Sequence, residues 1–116
     1  MNNALLWLFV LLQLKHFIID FPLQGPYQYL NKGTYGHSGG LLHAGLHGFG
    51  TLLVLCIILQ FDIDVLRYAS YIIILIVSAE IVIHYHIDWA KMTINKMTGW
   101  SPINSEKFWW LLGFDQ

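Results

Sequence analysis

Residues 39–61 read GGLLHAGLHGFGTLLVLCIILQF, an apolar stretch of membrane-spanning length that contains two histidines. A helix needs about 20 mostly apolar residues to cross a hydrocarbon core roughly 30 Å thick. Two further stretches have this character, ALLWLFVLLQLKHFIIDF at 4–21 and YASYIIILIVSAEIVIHYHIDWAK at 68–91, while the helical pattern at 105–116 is too short to cross. The sequence therefore predicts an all-α polytopic transmembrane helix bundle. It forms a single domain over residues 1–116, with three spanning helices and the start of a fourth.

The composition excludes several classes of protein. Charged residues make up 11% of the chain and hydrophobic residues 56%, whereas an ordinary soluble domain has about 25% charged residues. The net charge of -1 and the absence of a basic run exclude a nucleic-acid partner. The single cysteine, Cys56, lies in an apolar run and excludes a disulfide framework. Any bound metal must therefore be held by histidines and carboxylates.

The distribution of basic residues predicts how the chain is oriented. Short loops rich in Lys and Arg favour the cytoplasm. One side of the membrane receives loops 22–38 and 92–104, and the other receives the N-terminus and the turn at 62–67. The first side carries Lys32, Lys91, Lys96 and Lys107, against Arg67 alone on the second. We therefore expect the N-terminus outside and both longer loops in the cytoplasm.

Polar residues form one stripe along each apolar stretch. An ionisable group costs about 2.5–3.5 kcal/mol at the centre of a spanning helix, so it is rarely present without a partner or a role. Spacings of three or four residues place such groups on one helical face. The stripes contain the pairs His16/Asp20, His43/His47 and His84/Asp88, with Glu80 and Lys91 flanking the third. The pairs lie at the end of the first stretch, the start of the second and the end of the third, which predicts a common depth in one leaflet.

Pairs of histidines and carboxylates four residues apart are typical of metal ligands on adjacent helical turns. A donor set of imidazoles and carboxylates favours zinc, with iron or manganese as alternatives. The absence of nearby thiolates argues against copper(I). The candidate ligands of one octahedral site or two adjacent sites are His16, Asp20, His43, His47, His84 and Asp88. Two alternatives stay open: a purely structural polar network, and haem held by axial histidines.

Four segments together resemble a known family. They are KHFIIDFPLQ at 15–24, LLHAGLHG at 41–48, HYHIDWAKM at 84–92 and SEKFWWLLGFDQ at 105–116. The chain resembles small, uncharacterised membrane proteins of bacteria and their phages, grouped as a domain of unknown function. More distantly, it is similar to membrane-bound metal-dependent hydrolases. The resemblance implies a bacterial inner-membrane location and a polar signature at His16, Asp20, Gln24, Lys32, His43, His47, His84, Asp88, Lys91, Asp115 and Gln116.

The same resemblance implies a fourth apolar helix with a histidine about three residues after the Asp-Gln pair. We therefore expect the native chain to continue beyond Gln116. The first function predicted is a metal-dependent hydrolase of a lipid or lipid-linked substrate, in which Glu80 and Asp115 move protons. The alternative is a non-catalytic membrane subunit of a larger assembly or a homo-oligomer, whose helices are held together by the polar cluster or a structural metal. An ion conduit ranks last, because the outer halves of the second and third stretches are apolar.

Overall fold

The computed structural model describes residues 3–60, 63–101 and 103–115, apart from the side chains of residues 4, 63–69 and 111–115. Within these ranges the regular elements are all α-helices. They are α1 (Asn3–Asp20), α2 (Pro26–Tyr29), α3 (Ser38–Leu59), α4 (Ile63–Thr98) and α5 (Glu106–Asp115). The prediction of an all-α chain is confirmed.

Local sequence signals account for the helix ends. Pro26 stands in the first turn of α2, where its missing amide hydrogen is not needed. The His37 ring caps α3, because its Nδ1 accepts a hydrogen bond of 3.0 Å from the Gly39 backbone amide. α4 ends at Thr98 and is followed by Gly99, whose φ of 68° favours glycine. The segment 30–37 therefore connects the end of α2 to the start of α3.

The central element is α3, which packs against α1, α2 and α4, while α5 packs on α4. The interior between these helices is unusually polar. Within the described residues the buried apolar side chains are only Ile19, Ala44, Val54 and Tyr85. The buried polar and charged residues are more numerous: Lys15, Gln28, Lys32, His43, His47, Thr51, His84, Asp88 and Lys91.

The outer surface is apolar. Large side chains such as Leu5, Phe9 and Leu75 are more than half exposed, and many others on α1, α3 and α4 resemble them. Soluble proteins bury such residues and rarely bury lysine or aspartate without partners. This fold therefore buries polar side chains and exposes apolar ones, which is the reverse of a soluble protein. Such a surface suits the hydrocarbon interior of a membrane.

Two helices are long and apolar enough to cross a membrane, Ser38–Leu59 and the Ser70–Thr98 part of α4. Within the described residues, two of the three predicted spanning helices are therefore long and apolar enough to cross a membrane, and α1 is not among them. Its 18 residues give a length of about 27 Å, slightly less than the hydrocarbon core. Lys15, His16 and Asp20 also lower the hydropathy of its second half.

The observed bounds differ most in α4. The predicted turn at 62–67 lies mainly within its first turns, and the predicted polar segment at 92–104 stays helical as far as Thr98. The reason is that neither Gly nor Pro occurs between residues 63 and 98 to interrupt the helix. The short helix α2 was not predicted within loop 22–38.

Close packing of α3 on α4 depends on Gly48. A Cβ atom at this position would lie 2.3 Å from Ile81 Cγ1, whereas a Cβ at Gly45 would meet nothing within 4 Å. We therefore expect Gly48→Ala to lower the free energy of unfolding by about 1–3 kcal/mol through overpacking. Gly45→Ala, the control, should gain up to about 1 kcal/mol in helix propensity. Thermal unfolding in detergent measures both, and equal stability of the two variants would contradict the close approach.

Candidate metal centre

The three predicted pairs meet in the interior. α1 contributes its pair near its last turn, α3 near its first turns, and α4 near its middle. The rings of His47 and His84 lie 3.8 Å apart between centroids, and those of His16 and His47 lie 4.7 Å apart. We call the converging side chains the His/Asp cluster; it consists of His16, Asp20, His43, His47, His84 and Asp88.

Asp20 stands among three imidazoles. Its Oδ1 lies 2.8 Å from His47 Nε2 and 3.2 Å from His43 Nε2. Its Oδ2 lies 2.7 Å from His16 Nε2. Since His43 and His47 are fully buried, the carboxylate joins α1 to α3 beside two rings that water does not reach, while its own side chain stays 9% exposed.

Asp88 stands between two imidazoles and two lysines. Its Oδ2 lies 3.3 Å from both His43 Nε2 and His84 Nε2. Its Oδ1 lies 3.2 Å from Lys91 Nζ and 3.5 Å from Lys32 Nζ. We call Lys32 and Lys91 the lysine pair. The two oxygens of Asp88 thus face different partners, imidazoles on one side and ammonium groups on the other.

Several ring nitrogens of the cluster are buried without a well-formed hydrogen bond within the described residues: His16 Nε2, His43 Nε2, His84 Nε2 and His47 Nδ1. The three Nε2 atoms nevertheless lie 2.7–3.3 Å from carboxylate oxygens. Two ligands that are each about 2.1 Å from one zinc ion are separated by about 3.0–3.4 Å at octahedral or tetrahedral angles. The separations of 3.2 and 3.3 Å at His43 and His84 lie within this range, while the 2.7 Å contact of His16 is shorter and has the length of a direct hydrogen bond.

A compact subset of the cluster satisfies the geometry of a single site. One ligand atom from each of Asp20, His43, His47 and His84 lies within 4.8 Å of the other three. His16 and Asp88 extend this set on opposite sides through their contacts with Asp20 and His43. The buried cluster could therefore bind a metal ion.

Gln28 fixes the tautomer of the His43 ring. The Gln28 side-chain amide donates from Nε2 to the Leu23 carbonyl at 3.0 Å, which leaves Oε1 as the acceptor. His43 Nδ1 lies 3.0 Å from this Oε1 and must donate to it. In the neutral ring, His43 Nε2 then carries a lone pair directed at the two carboxylates, which is the arrangement of a metal-binding histidine.

We expect Gln28→Leu to lower zinc affinity by about 10–100-fold, because the ring of His43 loses the partner that sets its tautomer. Gln28→Glu should retain the affinity, since a carboxylate accepts the same hydrogen bond. Competition with a chromophoric chelator measures both constants. Gln13→Leu is the matched control, because Gln13 is exposed on α1. Equal affinities of Gln28→Leu and Gln13→Leu would contradict the role of Gln28.

A second polar unit lies one turn from the cluster. Lys15 Nζ donates to Glu80 Oε1 at 2.7 Å, Thr51 Oγ1 at 2.9 Å and the His47 carbonyl at 3.3 Å. Glu80, predicted to move protons, is therefore ion-paired with Lys15, and its catalytic role stays a prediction. The side chain of Asp115, the other predicted proton carrier, lies outside the described residues, as does Gln116.

Sequence reasoning missed Gln28, Thr51 and the partner of Lys15. For Lys15 a signal existed, because a lysine within an apolar helix requires an interior partner. Gln28 gave no such signal, since it lies outside the three stretches and belongs to no helical stripe. Gln24 and Lys32, implied by the family resemblance, do lie beside the cluster, and Lys32 Nζ donates to Gln24 Oε1 at 3.0 Å.

Comparison with known proteins gives a family. Residues 8–116 match the family model described as "Protein of unknown function (DUF3307)", and the chain therefore belongs to this family. No curated protein and no solved structure matches the chain. The expected membership of a domain of unknown function is confirmed, while the relationship to membrane-bound hydrolases stays a prediction.

Proposed function

We propose that this DUF3307 protein is an integral membrane protein whose His/Asp cluster binds a divalent cation, zinc first, with iron or manganese as alternatives. The observation that carries this proposal is the set of buried imidazole nitrogens that face carboxylate oxygens without hydrogen bonds. A lone pair directed at a carboxylate is repelled by it in a low-dielectric interior. A cation shared by the two groups replaces each such repulsion with two attractions, one to the imidazole lone pair and one to the carboxylate.

The membrane assignment is supported by the apolar outer surface around a polar interior. In this proposal α3 and α4 cross the bilayer, and α1 crosses it beside α3 with Lys15 turned inward. Residues 22–38 and 92–104 lie on the cytoplasmic side of a bacterial inner membrane and the N-terminus lies outside, as the lysine distribution predicts. Labelling of single cysteines introduced at Thr34 and Asn3, in a chain whose Cys56 is replaced by Ala, tests this orientation.

The depth of His43, the cluster residue nearest the start of α3, favours a lipid or lipid-linked substrate. His43 and His47 lie five and nine residues after Ser38, the first residue of α3. These spacings correspond to about 8 and 14 Å along the axis. In a hydrocarbon core roughly 30 Å thick, His43 lies within reach of the lipid headgroups, whereas His47 lies close to the middle of the core.

We propose hydrolysis as the reaction. A bound divalent cation supplies a Lewis acid and a water that ionises near neutral pH. His16 and Asp20 have the most exposed side chains of the cluster, 13% and 9%, so water enters from the α1 side. Glu80, 26% exposed, and Asp115 are the proposed proton carriers.

Elemental analysis of purified protein tests the metal centre. We expect about one metal ion per wild-type chain and a loss of that metal in His43→Ala and Asp88→Ala. His86→Ala is the control, because the His86 ring bonds to Tyr35 and to the Val82 carbonyl instead of the cluster. If the folded wild-type chain takes up no metal, the cluster is a structural polar network and the proposed metal centre is refuted.

A second candidate function is a non-catalytic subunit of a larger membrane assembly or homo-oligomer. The complete burial of His43 and His47 favours it, since closed sites with every position occupied by protein ligands are typical of structural metals. Hydrolysis assays on phospholipids and lipid-linked phosphates separate the two candidates. A metal-loaded protein without turnover, whose unfolding temperature falls when the metal is removed, would support the subunit.

A further inference from the structure

Gln13 exposes an amide at the middle of α1. It lies ten residues after Asn3, the first residue of the helix, which corresponds to about 15 Å along a helix about 27 Å long. The amides of Gln24 and Gln28 each donate to a backbone carbonyl at 3.0 Å. Gln13 is exposed, and its side chain makes no hydrogen bond within the part of the chain that the structure describes. Such an amide is unfavourable inside a bilayer unless a neighbouring molecule supplies its hydrogen-bond partners.

Gln13 belongs to a row of exposed side chains that we call the α1 seam. The seam consists of Leu6, Val10, Gln13 and Phe17, which follow one another at steps of four, three and four residues. All four are exposed. This spacing is that of the a and d positions through which two helices pack in a coiled coil. The buried Ile19 lies on the other side of α1, so the seam points away from α3.

The symmetry of a dimer in a membrane restricts which polar groups can meet at its centre. Two copies with the same orientation are related by a twofold axis along the membrane normal. Corresponding residues of the two copies then lie at the same depth, and Gln13 faces Gln13 of the partner subunit. A carboxamide both donates and accepts hydrogen bonds, so it is complementary to itself. The other seam residues are apolar and can pack against their own copies.

We propose that two copies of this chain associate in the membrane through their α1 seams, with hydrogen bonds between Gln13 of one copy and Gln13 of the partner subunit. The inference rests on the proposed membrane crossing of α1 and is independent of the metal centre. Hydrogen bonds between polar side chains hold membrane helices together, because lipid tails offer no alternative partner. A single polar residue at an a or d position also fixes the register of the two helices.

Disulfide cross-linking maps the seam. Single cysteines are introduced at Val10, Phe17 or Ile18 of the full chain with Cys56 replaced by Ala, and each protein is oxidised in phosphatidylcholine vesicles. We expect covalent dimers of Val10→Cys and Phe17→Cys, since both positions lie on the seam opposite their own copies. Ile18→Cys is the matched control, because Ile18 is exposed and adjacent to Phe17 but lies about 100° around the helix. Equal cross-linking at positions 17 and 18 would overturn the seam.

Energy transfer between labelled copies measures the contribution of Gln13. Donor and acceptor dyes are attached at Thr34→Cys in the chain that lacks Cys56, and the vesicles are diluted with lipid. We expect Gln13→Leu to weaken association by about tenfold, and Gln13→Asn to stay within a few-fold of wild type because its amide is also self-complementary. Leu14→Ala is the matched control, since Leu14 is exposed next to Gln13 but lies outside the seam. Association of Gln13→Leu equal to that of wild type would overturn the proposal.

Two further measurements separate the dimer from the proposed function. Cysteine labelling at Asn3 and Thr34 on opposite sides of the membrane establishes that α1 crosses it. Zinc content should be the same in Gln13→Leu and wild type, because Gln13 does not belong to the His/Asp cluster. A chain that labels on opposite sides, binds zinc and stays monomeric at every lipid dilution would overturn the dimer alone. Labelling of both positions on one side would refute the crossing of α1 and the dimer together.

Discussion

Asp20→Ala should lower the affinity of the protein for zinc by at least about a hundredfold, the largest single effect that the structure predicts. Asp20 is the residue that the cluster shares most widely, since its two oxygens contact the Nε2 atoms of His16, His43 and His47. Removing it deletes the anionic ligand between α1 and α3. His16 and His47 would then have no carboxylate of the cluster beside them, and Asp88 alone would attract the cation.

Asp20→Asn is the sharper form of this experiment, because it keeps the shape of the side chain and removes its charge. We expect Asn to lose most of the zinc affinity while the chain stays folded, as judged by helical circular dichroism. Glu106→Gln is the control, since Glu106 is an exposed carboxylate in the first turn of α5. Zinc affinity within a few-fold of wild type in Asp20→Asn would show that a charge at this position is not required.

The convergence of the cluster was predictable because two independent features of the sequence specify it, the spacing within each pair and the alternating direction of the apolar stretches. The spacing of four residues between His43 and His47, as in the other two pairs, places each pair on one helical face. The alternating direction of the apolar stretches then places the pairs at one depth. Neither argument needs the packing angles between helices, so both can be made from the sequence alone.

Other features could not be predicted because they depend on tertiary contacts or on small differences in hydropathy. Gln28 lies between Gly25 and the short loop that leads to α3, and its hydrogen bond to His43 spans fifteen residues of chain without any regular period. Likewise, the pattern of α1 resembles that of a spanning helix, and only its polar second half separates it from α3 and α4. The length of α4 was missed because charged residues at 62–67 resembled a turn although no helix breaker is present.

The second large effect concerns the partly buried ion pair of Lys15 and Glu80. Lys15→Met should lower the free energy of unfolding by about 3 kcal/mol or more, because the Glu80 carboxylate is left without its cation. Glu80→Leu should cost a similar amount, since Lys15 keeps only Thr51 and the His47 carbonyl as partners. The double variant Lys15→Met/Glu80→Leu leaves no unpaired charge and should recover most of the loss. Unfolding in detergent measures the four proteins as a double-mutant cycle.

This cycle also separates the two roles proposed for Glu80. If the residue only pairs with Lys15, the double variant should regain stability and keep both its zinc and any hydrolytic turnover. If Glu80 also moves a proton, the double variant should regain stability and zinc but lose turnover by about 10²–10⁴-fold, the usual contribution of general acid–base catalysis. Energetic losses that simply add in the double variant would contradict the ion pair itself. Stability and turnover therefore respond to different properties of one carboxylate, and measuring both on the same variant decides between a helix-stabilising and a proton-transferring Glu80.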